Sequence, residues 1–469
     1  MTVAMAIADL QDEVEGRVLR PGDEGFAEAA RPWNVAVQHE PDALLEAASA
    51  ADVAAGVRWA AAQKLPIAAQ STGHGVTDAM YDGLLISTRL LKDVEVDIAA
   101  RTARVGAGVQ WKDLLPKIVP HGLIALNGSS SDVGIVGYIL GGGLPVLGRA
   151  FGFAADFVRS IDVVTPDGRS RTVDAGHDAD LFAVLKGGKG NFGVVTGLEL
   201  DLIPLTDFYG GSIMYPGEDA EEVFTAFRAW VAGLPDDACP SIALLRLPPE
   251  EFIPEPIRGR FLVHLRFAYP GTAEEGDRLI APMRHVSTPV MDMVGPLGYE
   301  QVDLVSMDPA DPLPFENGGA LLTDFDEDAQ RALLDVAGPG KQFPALLVEL
   351  RLLGGALGKP SPVLDAVSGR DAAWITQAVG VLAPPIAAMV PDAIAAFLEA
   401  LRPWSTGRTL VNFHGRPGDA EDRARAWSPD AYDAITKAKR RYDPDNLMRF
   451  GHAVQLPSGE PAEAALPLL

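Results

Sequence analysis

The sequence predicts an α+β chain built from two large units, and three observations carry that reading. The chain has 469 residues, 48% of them hydrophobic, too many for one ordinary core and enough for two large ones or about three smaller ones. Glycine-rich loops interleaved with short β-type runs crowd the stretch up to residue 205. From Thr206 those loops thin out, and helical segments alternate with strands as an antiparallel sheet with helices requires.

Taken in order, residues 1–15 read as a short lead, and Pro21, Gly22 and Asp23 as a turn. A short helix is expected over 26–34. The alanine-rich stretch 42–63 carries Val53, Val57, Ala60 and Ala61 at helical spacing, with Pro66 just past its end. Branched residues predict strands at 84–87, 94–97 and 103–106, followed by a short helix at 111–118. Strands at 161–165 and 170–173 flank Pro166, Asp167, Gly168 and Arg169, a hairpin turn signal. A helical turn at 180–185 and a strand at 194–205 follow. Beyond Thr206, helices are expected at 220–232, 274–283, 326–337 and 391–400. Strands are expected at 241–247, 260–268, 345–353 and 374–382, with a last one at 409–413. A helix rich in Lys and Arg fills 430–450. No internal repeat is visible.

The balance of 39 basic against 64 acidic residues gives a net charge of −25. That argues against nucleic acid and anionic membrane surfaces, which need clustered Lys and Arg. The single cysteine, Cys239, allows no disulfide within the chain and no cysteine-based metal site. The eight histidines are scattered without paired spacing, so no metal site is expected. Residues 1–15 lack the basic start and apolar core of a signal peptide, and no apolar run reaches about 18 residues. A cytoplasmic protein is the expectation.

Two loops stand out. The first follows an apolar run and holds His74 between Gly73 and Gly75, where small neighbours permit unusual backbone angles and close approach to a ligand. The second runs from Asn127 to Gly143 and interleaves glycine and serine with Val133, Ile135, Val136, Ile139 and Leu140. A linker would not carry those apolar residues, so a buried loop pressed against a cofactor is expected. The stretch Gly188 to Gly193 matches the dinucleotide pattern G-x-G-x-x-G but opens a strand where that pattern must open a helix. It also lacks the Lys-Ser/Thr end of a P-loop. No G-x-S-x-G elbow marks a serine hydrolase.

The string of motifs is specific because its parts occur in one order. It comprises Pro66 to Gly75, Val133-Gly134 with Gly137 to Gly143, Arg149 with Gly152, Ile161 to Thr165 with Asp167-Gly168, Asp180 to Phe182, Gly190 to Thr196, and Tyr442-Asp443-Pro444 with Asn446. In this it resembles the FAD-linked oxidases with a PCMH-type (vanillyl-alcohol-oxidase-type) FAD-binding domain, nearest the berberine-bridge-enzyme-like branch. The resemblance covers about 16–205 and resumes over 410–454. It implies an FAD-binding PCMH-type domain at 16–205, a substrate-binding α+β domain at 206–409, and a C-terminal segment at 410–459 that returns to the first.

The resemblance also implies roles. His74 would bond covalently to the 8α-methyl carbon of FAD, and Ser130 stands where a bicovalent branch has cysteine, leaving a single link. Gln70 stands where the family usually has arginine, and Thr72 and Pro145 where it usually has glycine. Cofactor-binding positions are Gln70, Ser71, Thr72, Gly73, His74 and Gly75 on the first loop. On the second they are Ser129, Ser130, Val133, Gly134, Gly137, Gly141, Gly142 and Gly143, joined by Gly193, Val194, Val195 and Asn446. Amides of Ser71 to Gly75 and Gly141 to Gly143 would hold the pyrophosphate, and Val133, Ile135 and Val195 would line the ring slot.

The catalytic candidates are Glu349 as base, then Gln377, with Arg351 and, more weakly, His414; the strand around Asn412 lacks the family's tyrosines. The resemblance further implies that the residue three places after the Ser130 position guards oxygen access, and here that residue is Val133. The expected activity is hydride removal from a small alcohol- or amine-bearing metabolite, with O2 as acceptor. A dehydrogenase using another acceptor, or a flavin-bearing cyclase or binding protein without redox chemistry, stays open.

Overall fold

The computed structural model describes residues 3–251 and 253–456. Residues 457–459 of the expected C-terminal segment, and 1–2 of the expected lead, lie outside the described residues. The rest of that lead forms a helix, Val3–Glu13.

Two sheets form around the first glycine loops. In one, strands Arg17–Leu19, Ala43–Glu46, Leu84–Ser87 and Ile67–Gln70 lie side by side in that order, and the last three are parallel. Parallel strands need a crossover, and the helix Ala50–Ala62 provides it. This region was expected to be helical from residue 42. Its first residues instead form a strand, because Leu44 and Leu45 are buried between neighbouring strands. The helix starts only at Ser49, whose side chain accepts from the amide of Asp52. The second sheet is antiparallel, in the order Val94–Asp97, Thr102–Gly106, Val194–Asp201, Val158–Val164 and Ser170–Asp174. The crossover helix packs on both sheets.

The larger part of the remaining chain forms an antiparallel sheet of eight strands. Phe261–Tyr269, Cys239–Arg246, Leu347–Leu352, Trp374–Val381 and Phe315–Leu322 are consecutive neighbours, with Phe208–Pro216 outside the first. The sequence reading did not name the strands Phe208–Pro216 and Phe315–Leu322. Alternate residues, such as Ile242, Leu244, Val348 and Leu350, point to one face and form an apolar core with the helices Ala220–Val231, Ala273–Arg284, Glu327–Ala337 and Val390–Ala400. The opposite face carries Glu349, Arg351 and Gln377, the side chains between those apolar ones.

Three further expectations change. The helix expected over 26–34 ends at Ala30, ahead of Pro32. The strand expected at 409–413 is a single 3-10 turn, Val411–Phe413, which lets the Asn412 amide reach the Tyr138 carbonyl at 3.0 Å. The helix expected over 430–450 ends at Tyr442, because Pro444 cannot continue it.

The turn after that helix is held by a buried ion pair. Lys439 and Asp443, both with fully buried side chains, meet at 2.5 Å. Asp443 also accepts the amides of Leu447 and Met448 at 2.8 Å, and the Leu447 carbonyl accepts the amide of Ile67 at 2.8 Å. The turn thereby ties the end of the chain to the strand that feeds the His74 loop. Asp443→Ala would strand a buried ammonium, and a loss of about 3–5 kcal/mol is expected in urea denaturation.

Candidate functional site

The strand Ile67–Gln70 ends at a loop whose carbonyls are taken by the fold and whose amides are not. Arg89 donates through Nε to the Ser71 carbonyl at 2.9 Å and through its other nitrogens to the carbonyls of Glu28 and Arg31. The Thr72 carbonyl accepts the Trp33 amide at 2.9 Å. Among the described residues, no amide from Ser71 to Gly75 donates to a protein acceptor. Gly73 has φ +78°, and a Cβ there would come within 2.5 Å of Pro32, so only glycine fits.

His74 stacks on Trp33 with ring centroids 4.6 Å apart, and its Nδ1 lies 2.8 Å from the Thr72 hydroxyl. Burial pushes the imidazole down to about 4, so it is neutral at neutral pH.

The second loop passes close by. A Cβ on Gly134 would touch Ser71 Oγ at 3.4 Å. Its backbone is fixed by the Trp111 amide on the Val133 carbonyl and the Lys112 amide on the Ser131 carbonyl, at 3.2 and 2.9 Å. The Ser131 amide and hydroxyl donate to Asp303, which joins this loop to the second half of the chain. Within the loop, Ile135–Ile139 forms a short helical turn.

Between these loops and the polar face of the large sheet lies a cavity of about 440 Å³. Gln70 to Gly75, Ser129, Val133, Gly134, Gly137, Gly193, Val195 and Gln377 line it, as do Arg351, Asn412 and Phe413. Other expected positions lie elsewhere. The Gly141 and Gly142 amides donate to the carbonyls of Tyr138 and Ile139. A Cβ on Gly141, Gly142 or Gly143 would strike Asn412, Val367 or Tyr138, so packing requires these glycines, and none of the three lines the cavity. Ser130 accepts the Asp132 amide through its hydroxyl, outside the cavity wall. Val194 is buried in the adjoining sheet. Asn446 sits at φ +51° in the turn after Asp443, away from the wall. His414 is buried against the Asp422 carbonyl at 2.8 Å and does not reach the cavity.

Glu349 also stays behind the wall. Its side chain is 1% exposed and is held by Arg266, by Arg351 at 2.7 Å and by Gln377 at 2.8 Å. Burial works against the charge, but the Arg351 and Arg266 guanidiniums outweigh it and hold the carboxyl down to about 2. A carboxylate so held does not accept a substrate proton near neutrality, which corrects the expectation of Glu349 as base.

Several lining residues were not foreseen. Lys189 stands in the Gly188–Gly193 loop, and its ammonium lies 3.4 Å from the Gly137 carbonyl. No carboxylate pairs with it among the described residues, and burial pushes it down to about 8. The Tyr138 hydroxyl is buried with no hydrogen-bond partner. Met448, Phe450 and His452 close the cavity from the far end of the chain.

These features fit FAD. Five unpaired amides, the unpartnered Ser71 hydroxyl and the Lys189 ammonium suit a dianionic pyrophosphate, while Val133, Val136 and Val195 give an apolar slot.

Comparison with known proteins agrees. Residues 41–174 match the family model described as FAD binding domain. An FAD-linked oxidoreductase of Bacillus subtilis, YvdP, is 30% identical over 65% of this chain and 67% of its own length. The chain belongs to the FAD-linked oxidoreductases. This oxidoreductase is 28% identical to (R)-6-hydroxynicotine oxidase of Paenarthrobacter nicotinovorans, over 94% of the chain and 97% of the relative. The crystal structure of 6-hydroxy-D-nicotine oxidase from Arthrobacter nicotinovorans superposes with a TM-score of 0.81 at 25% identity, covering 94% and 98% of the two chains. A berberine-bridge-enzyme-like protein of Physcomitrella patens shares the fold, with a TM-score of 0.83 at 20% identity over 97% of this chain and all of that one. It is thus an FAD-dependent enzyme of the PCMH-type fold. Among the described residues, no helix is long and apolar enough to cross a membrane.

The Glu349 carboxylate gives a pH signature. Its folded value lies below the ordinary 4.5, so its contribution to stability is full above about 4.5 and is lost as pH falls toward about 2. Glu349→Gln is expected to lower the urea midpoint at pH 7, and the gap from wild type should narrow below pH ~4.5.

Proposed function

We propose that this enzyme is an oxidase. It removes a hydride from a carbon bearing a hydroxyl or amine in a small molecule, and the electrons go on to O2. The carrying observation is that one cavity joins the His74 loop, Val133 and the polar groups of Arg351, Gln377 and Tyr138. Bound FAD supplies the two-electron acceptor, and the chain supplies binding, orientation and access. The oxidase names of the relatives from Paenarthrobacter and Arthrobacter support the same class.

Each residue has a part. The amides of Ser71 to Gly75 and the Lys189 ammonium bind the phosphates. His74, neutral and fixed by Thr72 and Trp33, is the attachment residue for the flavin. If the Thr72 hydroxyl donates to Nδ1, the ring proton sits on Nε2; if Nδ1–H donates to Thr72, the lone pair sits on Nε2. Gln377 spends its amide N–H on Glu349 at 2.8 Å, so its Oε1 is free to orient a substrate O–H or N–H without taking the proton. Tyr138, whose phenol burial holds far above its ordinary value, stays protonated and can donate. Val133 is the small side chain that leaves O2 a path.

Two outcomes test this reading. Acid precipitation should carry the yellow chromophore down with wild-type protein, whereas His74→Ala should release it into the supernatant. In stopped flow, the reduced wild-type enzyme should reoxidise rapidly in aerated buffer, and Val133→Leu should slow that step, since one added methylene fills a small void. Slow wild-type reoxidation would favour a dehydrogenase with another acceptor.

A further inference from the structure

The buried charge on the polar face of the large sheet does not balance. The register sets Arg266, Ser241 and Arg351 in one row across three strands, and His264, Ala243, Glu349 and Gln377 in the next row across four. Ser241 and Ala243 are small, so Arg266 reaches across them to Glu349. Arg351 closes on the same carboxylate from its own strand, through Nε at 2.7 Å and Nη2 at 3.0 Å.

Two guanidiniums therefore share one carboxylate. Their side chains are 4% and 17% exposed, and that of Glu349 is 1% exposed. Among the described residues, no neighbour brings a second negative charge into contact with the pair. Gln377 is neutral. His264 accepts from Arg266 Nε at 3.3 Å and is held neutral by burial and by that cation. Tyr138 keeps its proton. Asp308 acts on Arg351 from a half-buried position but makes no ion pair or hydrogen bond with it.

The unbalanced charge faces the cavity. Arg351 lines it, and Nη1 has no hydrogen-bond partner among the described residues. The Phe413 ring lies under the guanidinium, 5.6 Å from its centroid to Cζ.

We propose that the substrate carries a carboxylate and that Arg351 seats it. The assignment rests on the flavoenzyme reading above and names the substrate class of that same site. A bound carboxylate puts a second anion in contact with the two cations and gives Nη1 a charge-assisted partner in a partly dry site. The apolar wall from Leu144 and Phe413 takes the body of the molecule, and Gln377 Oε1 meets its hydroxyl or amine.

The test is calorimetric titration of the flavin-loaded enzyme with benzoate, phenylacetate and hexanoate, their primary amides, and benzylamine. At least one acid should bind about tenfold or more tightly than its amide, and benzylamine should bind more weakly than benzoate. Arg351→Gln should abolish the preference with FAD per chain unchanged, and Arg351→Lys should recover part of it. Because Arg351→Gln weakens the pairing of Glu349 and can unfold the sheet, Gln377→Glu is the second variant. It adds a carboxylate beside Glu349 and should remove the preference with Arg351 intact. Equal binding of acids and amides, no binding by any acid, tighter binding of benzylamine, or a preference that survives in a folded Arg351→Gln variant would overturn the assignment. Slow reoxidation by O2 would end the oxidase reading and leave the binding preference standing, so the two failures are distinguishable.

Discussion

The site depends on how Arg89 holds the first loop. A peptide unit has two polar ends that point opposite ways. By taking the carbonyls of Ser71, Glu28 and Arg31, Arg89 turns that end of the loop outward and leaves the amides facing in. The Trp33 amide on the Thr72 carbonyl does the same one residue later. Unpaired amides in a half-buried loop are costly unless something meets them, so the loop is built around an anion. The second loop completes the arrangement by passing beside Ser71 and Thr72 at Gly134.

Charge is distributed unevenly for the same reason. The whole chain carries −25, yet the cavity wall brings together Lys189 and Arg351 with Asp78 as its acidic member. Acidic surface groups act on an arriving anion through water and salt, which screen them beyond about 8–10 Å. Cations inside the wall act at contact in a low dielectric, where they count for more.

Much of this was legible in the sequence, and the losses have physical causes. The first loop, a histidine between glycines at the end of a β-run, reads equally as a turn with a solvated histidine, and only the order of the later motifs singles it out. The triple glycine was misread because a glycine demanded by a neighbouring side chain looks the same as one demanded by a phosphate. Asn412, which Gly141 accommodates, is far away in the chain. Glu349 looked like a base because its strand alternates correctly, but Arg266 is 83 residues distant and no local pattern pairs them. Lys189 was passed over because its loop was weighed as a Rossmann turn and a P-loop and then used for its glycines, and no local pattern shows that the lysine reaches the Gly137 carbonyl. Asn446 takes a left-handed backbone, which asparagine tolerates, in a turn that lies off the cavity wall. The 42–63 stretch shows the limit of periodicity, since burial of Leu44 and Leu45 overrode it.

The closing residues of the cavity, Met448 to His452, are held by the Lys439–Asp443 turn, which also anchors the strand leading to His74. A ribosome makes Gln70 long before His452. The nascent chain can therefore fold its small sheets while the wall is still missing one side. The cavity has its full wall only when the helix Pro429–Tyr442 and the turn after it are docked, so enclosure depends on a segment made long after the loops it faces.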